Sequence, residues 1–226
     1  RAEHSKVNFN KFTYGLGFDY KNDNATFANR GSYNSSLSGD YDNLGFFTNF
    51  GYQLSNNLLT SLNLRSDKNY IVGENNSYKL GFLKKNLLAN LNLRFNHSSG
   101  YKNPSLYELY GADSYGYSGN RNLKQEQSKF SEATFDLNLN TNSKIALSFF
   151  KNKIDNLIEY SDSTYKNTSG VLKQSGIEIS YGLYDKFNQL TFFGSSLSSK
   201  KTNGSSQLRR PEWSGGMNYN RVISKN

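Results

Sequence analysis

The 226-residue chain has no cysteine, and it has only two prolines, two histidines, one tryptophan and one methionine. Without cysteine it forms no disulfide, so a secreted scaffold held together by disulfides is excluded. It also lacks any run of 18 apolar residues, which is about the length that a membrane-spanning helix needs. Strands of a membrane barrel are only half apolar and escape this test, so a barrel stays open.

Sequence motifs of enzymes are also missing. There is no Gly-x-Ser-x-Gly turn, no phosphate-binding loop and no cluster of metal ligands, and the spacing of carboxylates around Asp113 does not match a calcium loop. His97 could serve as a catalytic base with Asp113 as its acidic partner, but the spacing does not require that pair. We therefore predict no enzymatic activity, no metal site and no cofactor.

Positive charge is in excess, with a formal net charge of +9. Such a charge suits either nucleic acid or an anionic surface. The lysines are scattered, however, and no basic helix or recognition motif accompanies them. We predict no nucleic-acid partner.

The mean hydropathy of −0.76 is low, although 15% of the residues are aromatic. Disordered chains are poor in aromatic residues, so disorder does not explain the low hydropathy. The length is sufficient for one sizeable domain, and we predict a single domain over residues 1–226. Strands with one apolar and one polar face would combine the two properties.

Apolar residues alternate with polar or small ones along much of the chain. In residues 12–20 the aromatic and leucine side chains occupy every second position, which predicts a strand with one apolar face. About ten such segments can be distinguished. They are 12–20, 43–54, 58–65, 78–82, 87–95, 132–139, 145–160, 177–181, 190–197 and 213–219, where the pattern of 145–160 changes parity after Phe150 and suggests a bulge.

The connections between these segments alternate in length. Short ones are expected at 55–57, 84–86, 140–143 and 183–188, and long ones at 21–41, 67–76, 96–127, 161–170 and 200–207, of which 21–41 leaves room for strand extensions. Short turns at one end and long loops at the other are typical of an outer-membrane barrel. We predict an all-β, antiparallel up-and-down sheet with its apolar face outward. The outward set includes Phe12, Tyr14, Leu16, Phe18, Leu91, Leu93, Phe135 and Leu137, and the inward set Asn90, Asn92, Arg94, Thr134 and Asp136.

The stretch 100–128 is the longest interval without alternation, and a loop of this length is usually functional. It contains Tyr101-Lys102-Asn103-Pro104-Ser105-Leu106, then Leu109-Tyr110, then Gly119-Asn120-Arg121-Asn122-Leu123-Lys124-Gln125-Glu126-Gln127-Ser128. This order resembles a recurring segment of TonB-dependent outer-membrane receptors, with Gln125 at a position where that family usually has proline. Three other segments resemble the same family: 150–160, 174–178 and Leu208-Arg209-Arg210-Pro211, the last being closest to the form in cobalamin transporters.

The resemblance implies a transmembrane antiparallel barrel of 22 strands around an N-terminal plug. This chain shows no plug and no energy-coupling box, so we predict that it is an incomplete, middle part of the barrel in the bacterial outer membrane. The implied function is energy-coupled uptake of a scarce large ligand, cobalamin first and an iron–siderophore second. The implied partners are outer-membrane lipid, the ligand and a TonB-type energy-coupling protein that acts through the plug. A passive outer-membrane pore or a small structural barrel is the alternative, since polar inward faces alone would suffice for it.

Five residues are candidate ligand contacts. Arg209 resembles a position at which cobalamin transporters place an arginine near the corrinoid, while it could equally line the wet base of a loop. Tyr107, Tyr110, Tyr115 and Tyr117 could stack on a flat ligand, and packing within the loop is the competing interpretation. Alternation gives Arg209 and Arg210 opposite faces, so the sequence does not say which of them faces the lumen.

Overall fold

The computed structural model of the protein describes residues 2–9, 11–31, 33–207 and 210–223. Within these ranges there are fourteen strands and one short helix. In chain order they are β1 (Ala2–Phe9), β2 (Phe12–Asn29), β3 (Ser35–Ser55), β4 (Leu58–Asn69), β5 (Gly73–Leu88), β6 (Leu91–Lys102), α1 (Leu106–Tyr110), β7 (Ala112–Asp113), β8 (Glu126–Asn140), β9 (Ser143–Asp155), β10 (Ile158–Ser161), β11 (Thr164–Asn167), β12 (Val171–Tyr184), β13 (Asn188–Lys201) and β14 (Trp213–Arg221).

The sheet follows the chain. Its order is β1-β2-β3-β4-β5-β6-β8-β9-β12-β13-β14, with every neighbour antiparallel, while β7 pairs with β3 and β10 pairs with β11 in a separate hairpin. The predicted all-β up-and-down architecture is therefore confirmed, with β1 as an addition to the ten segments expected. Among the described residues β1 and β14 are the edges of the sheet, which is open rather than closed into a barrel. The one helix described is too short and too polar to cross a membrane.

The two faces of the sheet have the reverse of the polarity found in a water-soluble protein. Leu16 and Phe46 on one face are 52% and 58% exposed, whereas Thr134 and Asp136 on the other are 3% and 5% exposed. An apolar face that large would be costly in water, and it is what a membrane barrel presents to lipid. The apolar residues therefore face outward and the polar ones inward, as predicted.

Cross-strand rows confirm the assignment of individual residues. Leu93 lies opposite Phe135, which lies opposite Leu147 on the apolar face. On the polar face the guanidinium Nε of Arg94 donates to an Asp136 carboxylate oxygen at 2.7 Å. The prediction was wrong for Asn90, which has a φ of 64° and lies in the turn between β5 and β6.

Two of the connections expected to be long are mostly strand. In 21–41, β2 and β3 remain paired as far as Asn29 opposite Ser35, and in 67–76 β4 and β5 remain paired as far as Asn69 opposite Gly73. The pattern is lost there because both faces of these extensions lie beyond the apolar band and both are polar, as in Asn22 opposite Asp42. A strand that is wet on both sides carries no period-two signal.

The prediction of a short turn at 84–86 was wrong, because these residues belong to β5. Lys84 belongs to β5, the register shifts between Lys84 and Leu88, and the chain reverses at 89–90. Asn86 has a φ of 48°, and this left-handed residue makes an irregularity within β5. In the sequence, the same Lys-Lys-Asn stretch resembles a turn between two strands. The turns expected at 55–57, 140–143 and 183–188 are confirmed.

The parity change after Phe150 is a break between strands. β9 ends at Asp155, Asn156 has a φ of 56°, and the chain resumes as β10 at Ile158. The β10–β11 hairpin leaves the main sheet at this point. It thereby lies beside the long central loop instead of extending the barrel wall.

Candidate functional site

The central loop, residues 103–125, is folded rather than extended. Pro104 is fully buried at its start. Ser105 caps α1, because its Oγ accepts from the Glu108 backbone N–H at 3.2 Å and the Glu108 carboxylate accepts from the Ser105 N–H at 2.7 Å. This reciprocal capping box stabilises a helix that is too short to persist by itself.

A small hydrophobic cluster lies between the central loop and the β10–β11 hairpin, and we call it the loop core. Its buried members are Leu109, Leu123 and Ile158, with Tyr41, Tyr110 and Tyr165 packed around them. In the described part of the chain the buried apolar side chains are concentrated in the loops and adjoining strand ends, away from the middle of the sheet. The long-loop end of the sheet is therefore covered by a packed structure with its own small hydrophobic core.

The Gly-Asn pair of the recurring segment has a structural role. A Cβ on Gly119 would lie 2.6 Å from the backbone of Leu109 and of Tyr110, so only glycine permits this approach. Asn120 donates from its backbone N–H to Glu108 O at 2.8 Å and from Nδ2 to Tyr165 O at 2.9 Å. The pair thus ties α1 to the β10–β11 hairpin.

Gln125, at the position where proline is usual, joins β5 to the first residue of the central loop. Its Oε1 accepts from Asn75 Nδ2 at 2.6 Å, and its Nε2 donates to Asn103 Oδ1 at 2.9 Å. Only 6% of Gln125 is exposed, so both polar ends of a buried amide are satisfied. Where the family usually has proline, this chain therefore has a glutamine whose side chain links the loop to β5 by a hydrogen bond.

Tyr107 and Tyr117 stack on each other with ring centroids 4.8 Å apart. Tyr117 is 4% exposed, and its hydroxyl donates to Tyr107 O at 2.6 Å. Burial, with the neighbouring tyrosines and Glu108 as lesser causes, raises the pKa of Tyr117 above its ordinary value. Tyr117 therefore holds Tyr107 in place and itself offers almost no surface to a ligand.

Tyr110 and Tyr115 have different surroundings. The Tyr110 ring packs where a Cβ of Gly39 would be, and the Arg121 guanidinium lies over it at 5.0 Å. Tyr115 is 77% exposed and stacks on Tyr33 at 5.3 Å. Of the four candidate tyrosines, Tyr115 presents the most open ring.

Asp113 anchors the exposed end of the loop. Its carboxylate accepts from the backbone N–H of Tyr115 at 2.8 Å, from that of Tyr117 at 3.0 Å and from the Tyr33 hydroxyl at 3.0 Å. Desolvation acts to raise the pKa of Asp113, but the three hydrogen bonds together outweigh it, and the pKa lies below its usual value. His97 contacts Tyr78 Oη at 3.0 Å and Ser131 Oγ at 2.8 Å instead of Asp113.

Arg209 lies outside the described residues. Two residues earlier, Gln207 Oε1 accepts from Ser199 Oγ at 3.0 Å and from Gln174 Nε2 at 3.3 Å, and both partners belong to the polar face of the sheet. Arg210 is exposed. Gln207 therefore lies on the polar face, at the long-loop end.

A charged network on the polar face was not expected as a site. Arg65 donates twice to Asp19, at 2.8 and 2.9 Å, and twice to Asp67, at 2.7 and 2.5 Å. Asp67 is 2% exposed and also accepts from Asn43 Nδ2 at 3.0 Å. The sequence shows these residues only as polar positions of alternating strands, and the strand register is needed to bring them together. In the described part of the chain no three His, Cys, Asp or Glu side chains cluster as a metal site would require.

Comparison with known proteins agrees with this geometry. Residues 3–223 match the family described as TonB dependent receptor-like, beta-barrel. The chain belongs to this family. It is accordingly a part of a bacterial outer-membrane receptor, with its apolar face in lipid and its polar face toward the lumen.

The chain spans only part of the length of the individual relatives. The vitamin B12 transporter BtuB of Photobacterium profundum is 30% identical over 110 residues, which are 47% of this chain and 17% of that protein. The siderophore receptor PirA from Acinetobacter baumannii superposes with a TM-score of 0.68 at 15% identity, covering 94% of this chain and 41% of PirA. The copper transporter OprC gives a TM-score of 0.69 at 12% identity, covering 89% and 38%. The solved structures share the fold, and this chain spans about two fifths of their length.

Proposed function

We propose that the complete receptor takes up a scarce, large ligand across the outer membrane, with energy supplied by a TonB-type coupling protein. The supporting observation is the loop core, which packs aromatic side chains against the polar face of the sheet at its long-loop end. A passive pore is less well supported, because the family that matches residues 3–223 is that of TonB-dependent receptors. Cobalamin is the leading ligand and an iron–siderophore complex the second, because the relatives include a vitamin B12 transporter and a siderophore receptor.

The ligand contacts are proposed to come from Arg209 and from the tyrosines of the central loop. Tyr115 has the open ring, and Tyr107 and Tyr110 are half-buried. An aromatic face suits a flat corrinoid or an aromatic siderophore. Tyr117 would act indirectly, by fixing Tyr107.

Uptake by cells that produce the complete receptor tests this proposal. Radiolabelled cyanocobalamin and a ferric siderophore would each be supplied to cells with and without the energy-coupling protein. We expect accumulation of one ligand class, saturable and dependent on the coupling protein. Unsaturable entry that persists without the coupling protein would instead establish the passive pore.

A further inference from the structure

Four lysines form one row across four neighbouring strands. Lys129 in β8 lies opposite Lys153 in β9, Lys153 lies opposite Lys173 in β12, and Lys173 lies opposite Lys200 in β13. Residues directly opposite in an antiparallel pair have Cβ atoms about 4.5–5.5 Å apart. All four lysines are exposed.

The row lies on the outward face of the sheet. In β9, Lys153 has the same parity as Leu147 and Phe149, and in β12, Lys173 has the same parity as Ile177 and Ile179. These apolar residues are the lipid-facing band. The row is four residues beyond Phe149 and Ile177, or roughly 13 Å further along the strands toward the long loops. That is about where the acyl chains end and the headgroups of the outer leaflet begin.

Within the described part of the chain, no carboxylate balances these four charges. Of the acidic groups near the row in sequence, Glu132 in β8 and Glu178 in β12 lie on the lumenal face. Three others pair with other lysines: Glu126 with Lys102, Glu159 with Lys201, and Asp162 with Lys166. Asp155 lies on the outward face one row further out, and no ion pair within 4.0 Å joins it to a described lysine.

Four like charges directly opposite one another are unfavourable in a sheet unless a counter-anion lies between them. A lysine stem can also run along the apolar surface while its ammonium reaches the headgroup region. The positive charge of the row and its place near the headgroups therefore both favour an anionic group of a membrane lipid as its counter-ion.

We propose that this row, Lys129, Lys153, Lys173 and Lys200, binds the phosphate groups of a phosphorylated glycolipid in the outer leaflet. An ammonium binds phosphate as a point charge with three donors, and several ammonium groups in a row can hold more than one phosphate. The bound lipid would fix the height of the barrel in the membrane on this side. This surface is separate from the ligand mouth, since it is on the opposite face of the same strands.

The test uses the complete receptor purified in a neutral detergent, with lipid A as the probe and native mass spectrometry as the readout. The variant carries Lys129→Gln, Lys153→Gln, Lys173→Gln and Lys200→Gln. Its matched control carries Lys11→Gln, Lys84→Gln, Lys85→Gln and Lys186→Gln, which removes the same charge near the short-turn end of the sheet. We expect the row variant to bind lipid A at least tenfold more weakly, and the control variant to bind within about twofold of the unmodified receptor.

Three further outcomes decide the interpretation. Dephosphorylated lipid A should bind the unmodified receptor as weakly as lipid A binds the row variant, and added salt should weaken binding of the phosphorylated form. Equal losses in the two variants would show that only the net charge matters, which overturns the proposal. Inorganic pyrophosphate that displaced lipid A at equal concentration would show a simple anion site and would overturn the assignment to lipid.

Discussion

The hydroxyl of Tyr117 donates a 2.6 Å hydrogen bond to the carbonyl oxygen of Tyr107, and the rings of the two residues stack on each other. Burial raises the pKa of Tyr117, so its folded-state pKa exceeds the unfolded value of about 10. The neutral Tyr117 side chain therefore contributes its full stabilisation to the folded loop below about pH 10, and this contribution is lost as the pH rises through the folded-state pKa. We expect proteolysis of residues 103–125 to accelerate above that pH.

Tyr117→Phe removes the hydroxyl and keeps the ring, so it distinguishes the hydrogen bond from the stacking. It should weaken the loop core by about 0.5–1.5 kcal/mol at neutral pH, because one buried hydrogen bond is lost, and it should reduce the alkaline loss. Protease digestion at pH 7 and pH 11 measures both effects. Tyr115→Phe is the matched control, since that side chain is mostly exposed. Similar behaviour of the two variants would contradict the role of the Tyr117 hydroxyl.

Gly119→Ala tests the structural role of the Gly-Asn pair. The added Cβ would meet backbone atoms of Leu109 and Tyr110 at 2.6 Å, and backbone cannot give way as a flexible side chain does. Overpacking of this kind costs about 1–3 kcal/mol. Hydrogen exchange across 103–125 should therefore become faster. Gly31→Ala, where no atom lies within 4 Å of the new Cβ, should leave exchange unchanged.

The strand segments within the apolar band were predicted correctly from the sequence, whereas the extensions of the strands beyond that band were not. Alternation such as Leu91, Leu93 and Phe95 exists because lipid contacts one face and the wet lumen the other. Beyond the apolar band both faces of a strand are wet. The paired extension of β2 and β3 that includes Asn22 and Asp42 therefore has no alternation, and its sequence predicts a loop. The recurring segment identified the central loop, but its packing depends on a contact between Gly119 and Leu109 that only the folded chain reveals.

Leu93→Arg tests the membrane placement of the apolar face. Leu93 lies in the row with Phe135 and Leu147, in the middle of the band, where an arginine costs about 2–4 kcal/mol of folding free energy. Asn92→Arg is the matched control on the lumenal face and should cost about 1 kcal/mol or less, because it loses only the exposed hydrogen bond that Asn92 Oδ1 accepts from the Asn86 N–H. Urea titrations of folding into lipid bilayers give both values, and equal costs for the two variants would mean that the faces are assigned wrongly.

Arg65→Met tests the charged network on the lumenal face. It removes four hydrogen bonds and leaves the nearly buried Asp67 without its cationic partner, although Asn43 still donates to it. Because the Arg65 side chain is itself 33% exposed, water offsets part of the loss, and we expect about 1–3 kcal/mol. Arg65→Met combined with Asp67→Asn should recover part of this cost in the same bilayer folding assay. A double variant weaker than the single one would show that Asp67 is stabilised by other groups.

The proposed ligand contact at Arg209 is tested against its neighbour. Gln207, two residues before Arg209, lies on the lumenal face at the long-loop end, which is the region proposed to contact the ligand. Loss of one charge-assisted hydrogen bond in Arg209→Ala should weaken binding of cyanocobalamin to the complete receptor by about 1.5–3 kcal/mol, measured by calorimetry. Arg210→Ala removes the same charge one residue later and should leave the affinity unchanged. A loss in Arg210→Ala alone would move the contact to Arg210, and no loss in either would place both arginines at the wet base of the loop.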